Sequence, residues 1–150
     1  MNNLLPLLVM EEKVLKTSKT LDIRFSEVDS MKVVWHGAYM LYFEDAREAF
    51  GQEYGLEYMR MADEGYYAPL VDLQFHYRKP ILYGMHPRID IIYRPTEAAK
   101  IVFDYEIHDP ETDELMASGQ SVQVFMDMNY QLVWANPDFY LAWKKKWNLI

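Results

Sequence analysis

Alternation of apolar and polar residues with a period of two runs along most of this chain, and it constrains the fold more than any other feature. Such alternation is typical of β-strands that bury one face. It predicts five strands, at 20–25, 71–78, 88–93, 100–108 and 115–128. In the second strand the predicted buried face carries Val71, Leu73, Phe75 and Tyr77. The segment DPETDE at 109–114 predicts a hairpin turn, so we expect a curved antiparallel sheet of five or six strands.

One stretch before the C-terminus has the helical period instead. From Ala38 to Tyr54 apolar residues recur at intervals of three and four, whereas Glu44, Arg47 and Glu48 fall on the opposite side. Gly55 is a natural stop for this helix. A single long helix buries its apolar stripe best across the concave face of the sheet. The predicted fold class is therefore α+β, with one long central helix wrapped by the sheet.

The ends of the chain carry weaker signals. Asn136 and Pro137 predict the N-cap and first residue of a short C-terminal helix that runs through Trp147. The chain has 150 residues, which suits one domain at 19–150 after an N-terminal extension at 1–18. That extension begins with the apolar MNNLLPLLVM, which is too short for a membrane span and lacks the basic start of an export signal.

Composition excludes several functional classes. The chain has no cysteine, so a disulfide framework, a thiolate metal site and a cysteine nucleophile are excluded. The net charge of -8 argues against nucleic-acid binding, because phosphate contacts need clustered Lys and Arg. The four histidines form no HxH or HExxH pattern, which disfavours a metal site. We expect a cytoplasmic protein with no nucleic-acid or membrane partner.

The stretch EVDSMKVVWHGAYM at 27–40 places a carboxylate, Asp29, between the first strand and the central helix. The first turn of a helix carries unpaired N–H groups and a positive dipole end, which can hold an oxyanion. If the loop 30–35 folds back, Asp29 faces the helix start near His36 and Gly37. Asp29 is ionised at neutral pH and could attack a carbonyl or take a proton from water. A thioester, whose thiolate leaves readily, suits such a weak nucleophile, although an aspartate before a helix is often only a cap or loop residue.

The stretch DSMKVVWHGAYMLYFEDAREAF resembles the motif of hot-dog-fold acyl-CoA thioesterases of the 4-hydroxybenzoyl-CoA thioesterase type. The resemblance continues through Gly55 and the Tyr-Arg-Lys-Pro of 77–80. It implies hydrolysis of an acyl-CoA thioester without a cofactor, since coenzyme A is part of the substrate. It also implies a homodimer, or a tetramer of two dimers, with active sites at subunit interfaces.

The resemblance further implies site residues. Asp29 corresponds to the family's nucleophile or general base, and the backbone amide of His36 corresponds to the group that polarises the carbonyl. Trp35, Gly37 and Tyr39 lie close to the motif and are candidates to contact the acyl group. Basic residues are candidates for the CoA phosphates, namely Arg78, Lys79, Arg88 and Lys100. Lys32 stands where many relatives carry glycine, which implies either a strained residue or a different loop.

Two other functions stay open on the sequence alone. His36 with Glu44 or Glu48 could imitate the histidine and helix carboxylate of a hot-dog dehydratase or hydratase. Alternatively, the domain could bind an acyl thioester or a carrier protein without turning it over, because a fold does not determine function.

Overall fold

The computed structural model describes residues 14–150, and the predicted extension at 1–18 therefore lies mostly outside the described residues. Helices and strands follow in the order β1 Lys16–Thr20, α1 Tyr39–Tyr54, α2 Tyr58–Asp63, β2 Tyr66–Tyr67, β3 Leu70–Tyr77, β4 Arg88–Arg94, β5 Lys100–His108, β6 Leu115–Asp127, β7 Leu132–Val133 and α3 Asp138–Lys146. Two 3₁₀ turns, Phe25–Glu27 and His36–Ala38, precede α1. No helix within 14–150 is long and apolar enough to cross a membrane.

The strands form one seven-stranded antiparallel sheet in the order β1-β4-β5-β6-β2, and β3 and β7 also pair with β6. The predicted α+β class with one long helix is confirmed. The sheet has more strands than the five or six predicted. The additional strands, β2 and β7, have only two residues each, which is too short to show alternation in the sequence. The predicted turn at 109–114 joins β5 to β6, where the Asp109 N–H donates to the Glu114 carbonyl at 3.0 Å.

Helix α1 packs on one face of the sheet through a row of aromatic rings. Phe43 stacks on Tyr105 of β5 with 4.1 Å between ring centroids, and Phe50 contacts Phe103 edge-on at 4.8 Å. Gly119 of β6 makes room for Phe43, because a Cβ at this glycine would lie 2.4 Å from the ring. Gly55 ends the helix in the left-handed conformation, as predicted, and its N–H donates to the Gly51 carbonyl.

The predicted first strand is wrong in position. The strand is Lys16–Thr20, so the sheet begins inside the segment predicted as an extension. Leu21 and Ile23 are buried, as their alternation suggested, but this segment pairs with no strand among residues 14–150, and Phe25 turns outward in a 3₁₀ turn. An extended segment that lies over the core buries alternate residues even without a strand partner. The alternation at 20–25 therefore looked like a strand.

Two predicted faces also need correction. Val71 and Tyr77 on β3 are more than half exposed, because β3 is an edge strand whose only partner within 14–150 is β6. Arg47, predicted on the outer side of α1, is buried with 7% of its surface exposed. Its guanidinium donates from Nε to the Tyr58 hydroxyl and from Nη1 to the Tyr105 hydroxyl, at 3.1 Å each.

The C-terminal helix begins one residue later than predicted. Pro137 occupies the N-cap, since its carbonyl accepts the N–H groups of Tyr140 and Leu141. Asn136 instead uses its side chain to bridge two segments, donating to the Glu97 carbonyl and accepting from the buried Lys144 ammonium. The predicted short helix near the C-terminus is otherwise confirmed.

Candidate active site

The start of the central helix presents free backbone donors. The Trp35 carbonyl accepts the Ala38 N–H at 3.0 Å and so begins the helical hydrogen bonds. The peptide bond is trans, so the His36 N–H points opposite to that carbonyl, away from the helix. Within residues 14–150 the N–H groups of His36 and Gly37 have no acceptor, as expected at a helix start. Two adjacent amides are thus available to a carbonyl oxygen.

Gly37 leaves room for the side chain of its neighbour Trp35. A Cβ at Gly37 would lie 2.1 Å from the Cη2 and Cζ3 atoms of the Trp35 indole. The indole therefore lies directly against the Cα of Gly37 and covers one side of the turn. Trp35 remains 46% exposed, so its outer face is open to a ligand or to another chain.

Asp29 lies in a tight loop that fixes its carboxylate. The Oδ1 atom accepts the N–H groups of Met31 at 2.8 Å and Val33 at 3.2 Å. The backbone closes the same loop, because the Asp29 N–H donates to the Val33 carbonyl at 2.9 Å. The second oxygen, Oδ2, has no partner in the described part of the chain, and the side chain is exposed. The loop thus holds one carboxylate oxygen and leaves the other free.

Lys32 has a φ of 62°, in the left-handed region that favours glycine. Its N–H donates to the Asp29 carbonyl at 2.9 Å, and its carbonyl accepts the Tyr83 N–H at 3.0 Å. The backbone at position 32 therefore has a conformation that favours glycine, although the residue there is lysine. Of the two possibilities that the resemblance implied, the strained residue is the one observed.

A cavity of about 280 Å³ opens beside the helix start. It is lined by Val33, Val34, His36, Tyr39, Tyr77, Arg78, Lys79 and Pro80. Four of the predicted site residues, His36, Tyr39, Arg78 and Lys79, thus lie around one space. The other five candidates, Asp29, Trp35, Gly37, Arg88 and Lys100, are outside the lining. Asp29 connects to the cavity through its hydrogen bonds with Val33.

Tyr77 is the lining residue that sequence reasoning assigned to the core. Its hydroxyl donates to the His36 carbonyl at 3.2 Å, and its ring meets Tyr39 edge-on at 4.8 Å. Burial, and secondly the nearby Tyr77, raise the pKa of Tyr39, so Tyr39 stays neutral at physiological pH. The signal that could have placed Tyr77 at the site was its position in the Tyr-Arg-Lys-Pro segment.

The basic candidates for phosphate binding differ in their present partners. Arg78 makes no ion pair within residues 14–150, whereas Lys79 pairs with Glu114. Arg88 is held by Asp90 and Asp113 at 3.1 and 2.7 Å. Lys100 lines a separate apolar cavity on another part of the sheet. Arg78 is therefore the best placed of the four to meet a phosphate near the helix start.

One cluster of potential metal ligands lies away from this cavity. Asp90, Glu106 and His108 each offer a ligand atom within 4.8 Å of the others. Asp90 already accepts hydrogen bonds from Ser18 and Arg88, and Lys16 lies 3.6 Å from its other oxygen. Since cations of the protein already neutralise this carboxylate, we assign no metal to the cluster.

Comparison with known proteins gives a consistent set of relatives. The model of the family described as "Thioesterase-like superfamily" matches residues 23–143. The proposed acyl-CoA thioesterase YneP of Bacillus subtilis (strain 168) is 29% identical over 133 residues, which cover 86% of this chain and 96% of that protein. The crystal structure of a DHNA-CoA thioesterase from Staphylococcus aureus has 26% identity and a TM-score of 0.72, covering 89% of this chain and 92% of its own. A hypothetical protein from Thermus thermophilus has 25% identity and a TM-score of 0.76, covering 87% and 96%.

Proposed function

Because the chain belongs to the thioesterase-like superfamily, we propose that it hydrolyses an acyl-CoA thioester to the free acid and CoA. The family assignment confirms the resemblance found in the sequence, and the chain is a hot-dog-fold thioester hydrolase. The acyl-CoA substrate and the residues that act on it are parts of the proposal. The 4-hydroxybenzoyl-CoA type within the family also stays a prediction.

The observation that carries the proposal is the pair of free amides at the helix start beside the cavity. A thioester carbonyl seated there accepts the His36 N–H, and this hydrogen bond strengthens as negative charge develops on the oxygen. The positive end of the helix dipole acts in the same direction. Arg78 lies at the same cavity and supplies a cation for a phosphate of CoA.

Asp29 supplies the reacting carboxylate through its free Oδ2. As a general base, it takes a proton from water, whose oxygen attacks the carbonyl carbon while the C–S bond breaks and CoA leaves as thiolate. As a nucleophile, Oδ2 attacks the same carbon and forms a mixed anhydride, which water then hydrolyses. In both routes the loop of 29–33 orients the carboxylate by holding Oδ1.

The exposed surface around the site supports a subunit interface there. Trp35, Met40 and Leu41 are exposed apolar residues at or just before the start of α1. One edge of β3, whose Tyr77 contacts His36, is unpaired within residues 14–150. We propose a homodimer, alone or paired into a tetramer, that covers this surface. Light scattering coupled to size-exclusion chromatography should give twice or four times the chain mass, and a monomer at catalytic concentrations would reject the proposal.

The test of function is release of free thiol from a panel of acyl-CoA substrates that includes short, long and aromatic acyl groups. We expect turnover of at least one of them. His36→Ala should retain more activity than a variant of Asp29, because the proposed contribution of His36 comes from its backbone. Turnover of an enoyl or 3-hydroxyacyl thioester without thiol release would instead indicate the hydratase alternative. Saturable binding of a carrier protein without hydrolysis would indicate a binding domain.

A further inference from the structure

The peptide group between His36 and Gly37 is held from two directions. On one side the Tyr77 hydroxyl donates to its carbonyl oxygen at 3.2 Å. On the other side the Trp35 indole packs against the Cα of Gly37. A helix start normally has only its own backbone to orient such a peptide, and no side chain in the described part of the protein caps this turn.

Hydrogen bonding at the carbonyl affects the N–H on the same peptide. The two groups point in opposite directions in a trans peptide, so fixing the carbonyl also fixes the direction of the Gly37 N–H. A donor at the carbonyl oxygen further polarises the peptide and makes its N–H a stronger donor, since hydrogen bonds in chains reinforce one another. The Gly37 N–H itself has no acceptor in the described chain and is available to a ligand.

Tyr77 is well placed to hold this position. It is the last residue of β3, and the N–H groups of the next two residues, Arg78 and Lys79, both donate to the Met116 carbonyl at 2.9 and 3.0 Å. Its ring also meets the buried Tyr39 edge-on at 4.8 Å. The backbone and the ring of Tyr77 are therefore both restrained, although 52% of the residue is exposed.

We propose that Tyr77 is a positioning residue for the hydrolysis, orienting and polarising the Gly37 amide so that it joins the His36 amide in stabilising the oxyanion. This inference rests on the proposed function. It assigns a role to an edge-strand tyrosine that does not react with the substrate. Its contribution is expected in the transition state, because the oxyanion is a stronger acceptor than the ground-state carbonyl.

The test is Tyr77→Phe, which keeps the ring contact with Tyr39 and removes only the hydroxyl. We expect kcat to fall about three- to tenfold, the effect of one neutral hydrogen bond, with KM little changed. The matched control is Tyr83→Phe, because Tyr83 is also an exposed tyrosine and its hydroxyl makes no hydrogen bond within residues 14–150. This control should leave both constants unchanged.

A second readout does not depend on activity. The ¹⁵N resonance of the Gly37 amide responds to hydrogen bonding at the preceding carbonyl, so Tyr77→Phe should shift it and Tyr83→Phe should not. An unchanged kcat in an active enzyme, or an unchanged Gly37 resonance, would overturn the inference. A wild-type protein that releases no thiol would reject the proposed function instead, and the Gly37 resonance would then decide whether Tyr77 holds this peptide.

Discussion

Lys32 shows how much a single backbone angle can reveal about a site. The sequence resemblance pointed to a glycine position, and the φ of 62° shows that the loop retains the conformation that glycine adopts without strain. A side chain with a Cβ is strained there by about 1 kcal/mol. The loop tolerates that strain because the Asp29 carbonyl and the Tyr83 N–H hold both sides of the residue.

We therefore expect Lys32→Gly to raise the free energy of unfolding by up to about 1 kcal/mol, since relief of strain outweighs the added flexibility of the unfolded chain. Lys32→Ala keeps the Cβ and should give no gain. Urea unfolding of both variants measures the difference. A glycine variant no more stable than the alanine variant would show that the loop carries no such strain.

The position of Asp29 was predictable from the sequence, but the geometry of its carboxylate was not. Its place before the helix predicted a carboxylate near the helix start. The sequence did not indicate that Met31 and Val33 would occupy one of its oxygens, because those donors belong to a loop whose shape depends on the angle at Lys32. The shape of such a turn depends on a few backbone angles, which the periodic pattern of apolar residues does not predict.

Among helices and strands, patterns predicted the bounds of α1 and of the four longest strands, β3, β4, β5 and β6, within one or two residues. These segments are long and strongly periodic, and most of their apolar residues face one core. The first strand was wrong in position, because an extended segment can bury alternate residues without pairing. On β3, Leu73 and Phe75 pack against the core as predicted, but Val71 and Tyr77 do not, because the exposure of a strand depends on its place in the sheet. The number of neighbours of a strand cannot be read from its own residues.

Arg47 was misplaced for a related reason. The helical period placed Arg47 opposite the apolar stripe, and arginine is rarely buried without a carboxylate partner. Here the hydroxyls of Tyr58 and Tyr105 accept its hydrogen bonds. Both tyrosines have further partners, Gln123 for Tyr58 and Ser121 for Tyr105, so Arg47 belongs to a network joining α1, α2 and the sheet.

Arg47→Ala should lower the free energy of unfolding by about 2–4 kcal/mol, because it leaves a cavity and removes one buried and one partly buried hydrogen bond. Glu48→Ala, at the neighbouring exposed position of the same helix, should change it by less than about 0.5 kcal/mol. Denaturant unfolding compares the two. Equal effects would mean that the network adds little to the packing of α1.

For the whole molecule, the buried Asp90 links stability to pH. Burial favours a raised pKa for this carboxyl, but the hydrogen bonds from Ser18 and Arg88 and the charge of Lys16 outweigh it and lower the pKa below the ordinary 3.8. A carboxyl whose pKa is lower in the folded protein than in the unfolded chain stabilises the fold above the unfolded value. That stabilisation is lost as the pH falls through the folded value.

Asp90→Asn should therefore weaken the dependence of unfolding free energy on pH between about 5 and 2, as well as lowering stability at neutral pH. Asp63 is an exposed aspartate without an ion pair in the described chain, so Asp63→Asn is the matched control. Unfolding curves across this pH range measure the slope for each protein. An Asp90→Asn slope equal to that of wild type would exclude this carboxylate as a source of acid sensitivity.

We propose that the free oxygen of Asp29 performs the hydrolysis, and Asp29→Asn tests this role most directly. Asparagine keeps the carbonyl oxygen that accepts the Met31 and Val33 N–H groups, so the loop should remain intact while the charge and basicity are lost. The measurement is kcat for thiol release from the best acyl-CoA substrate, with the thermal midpoint recorded beside it. We predict a loss of about a hundredfold or more at an unchanged midpoint, and a folded Asn variant with the wild-type rate would contradict the mechanism.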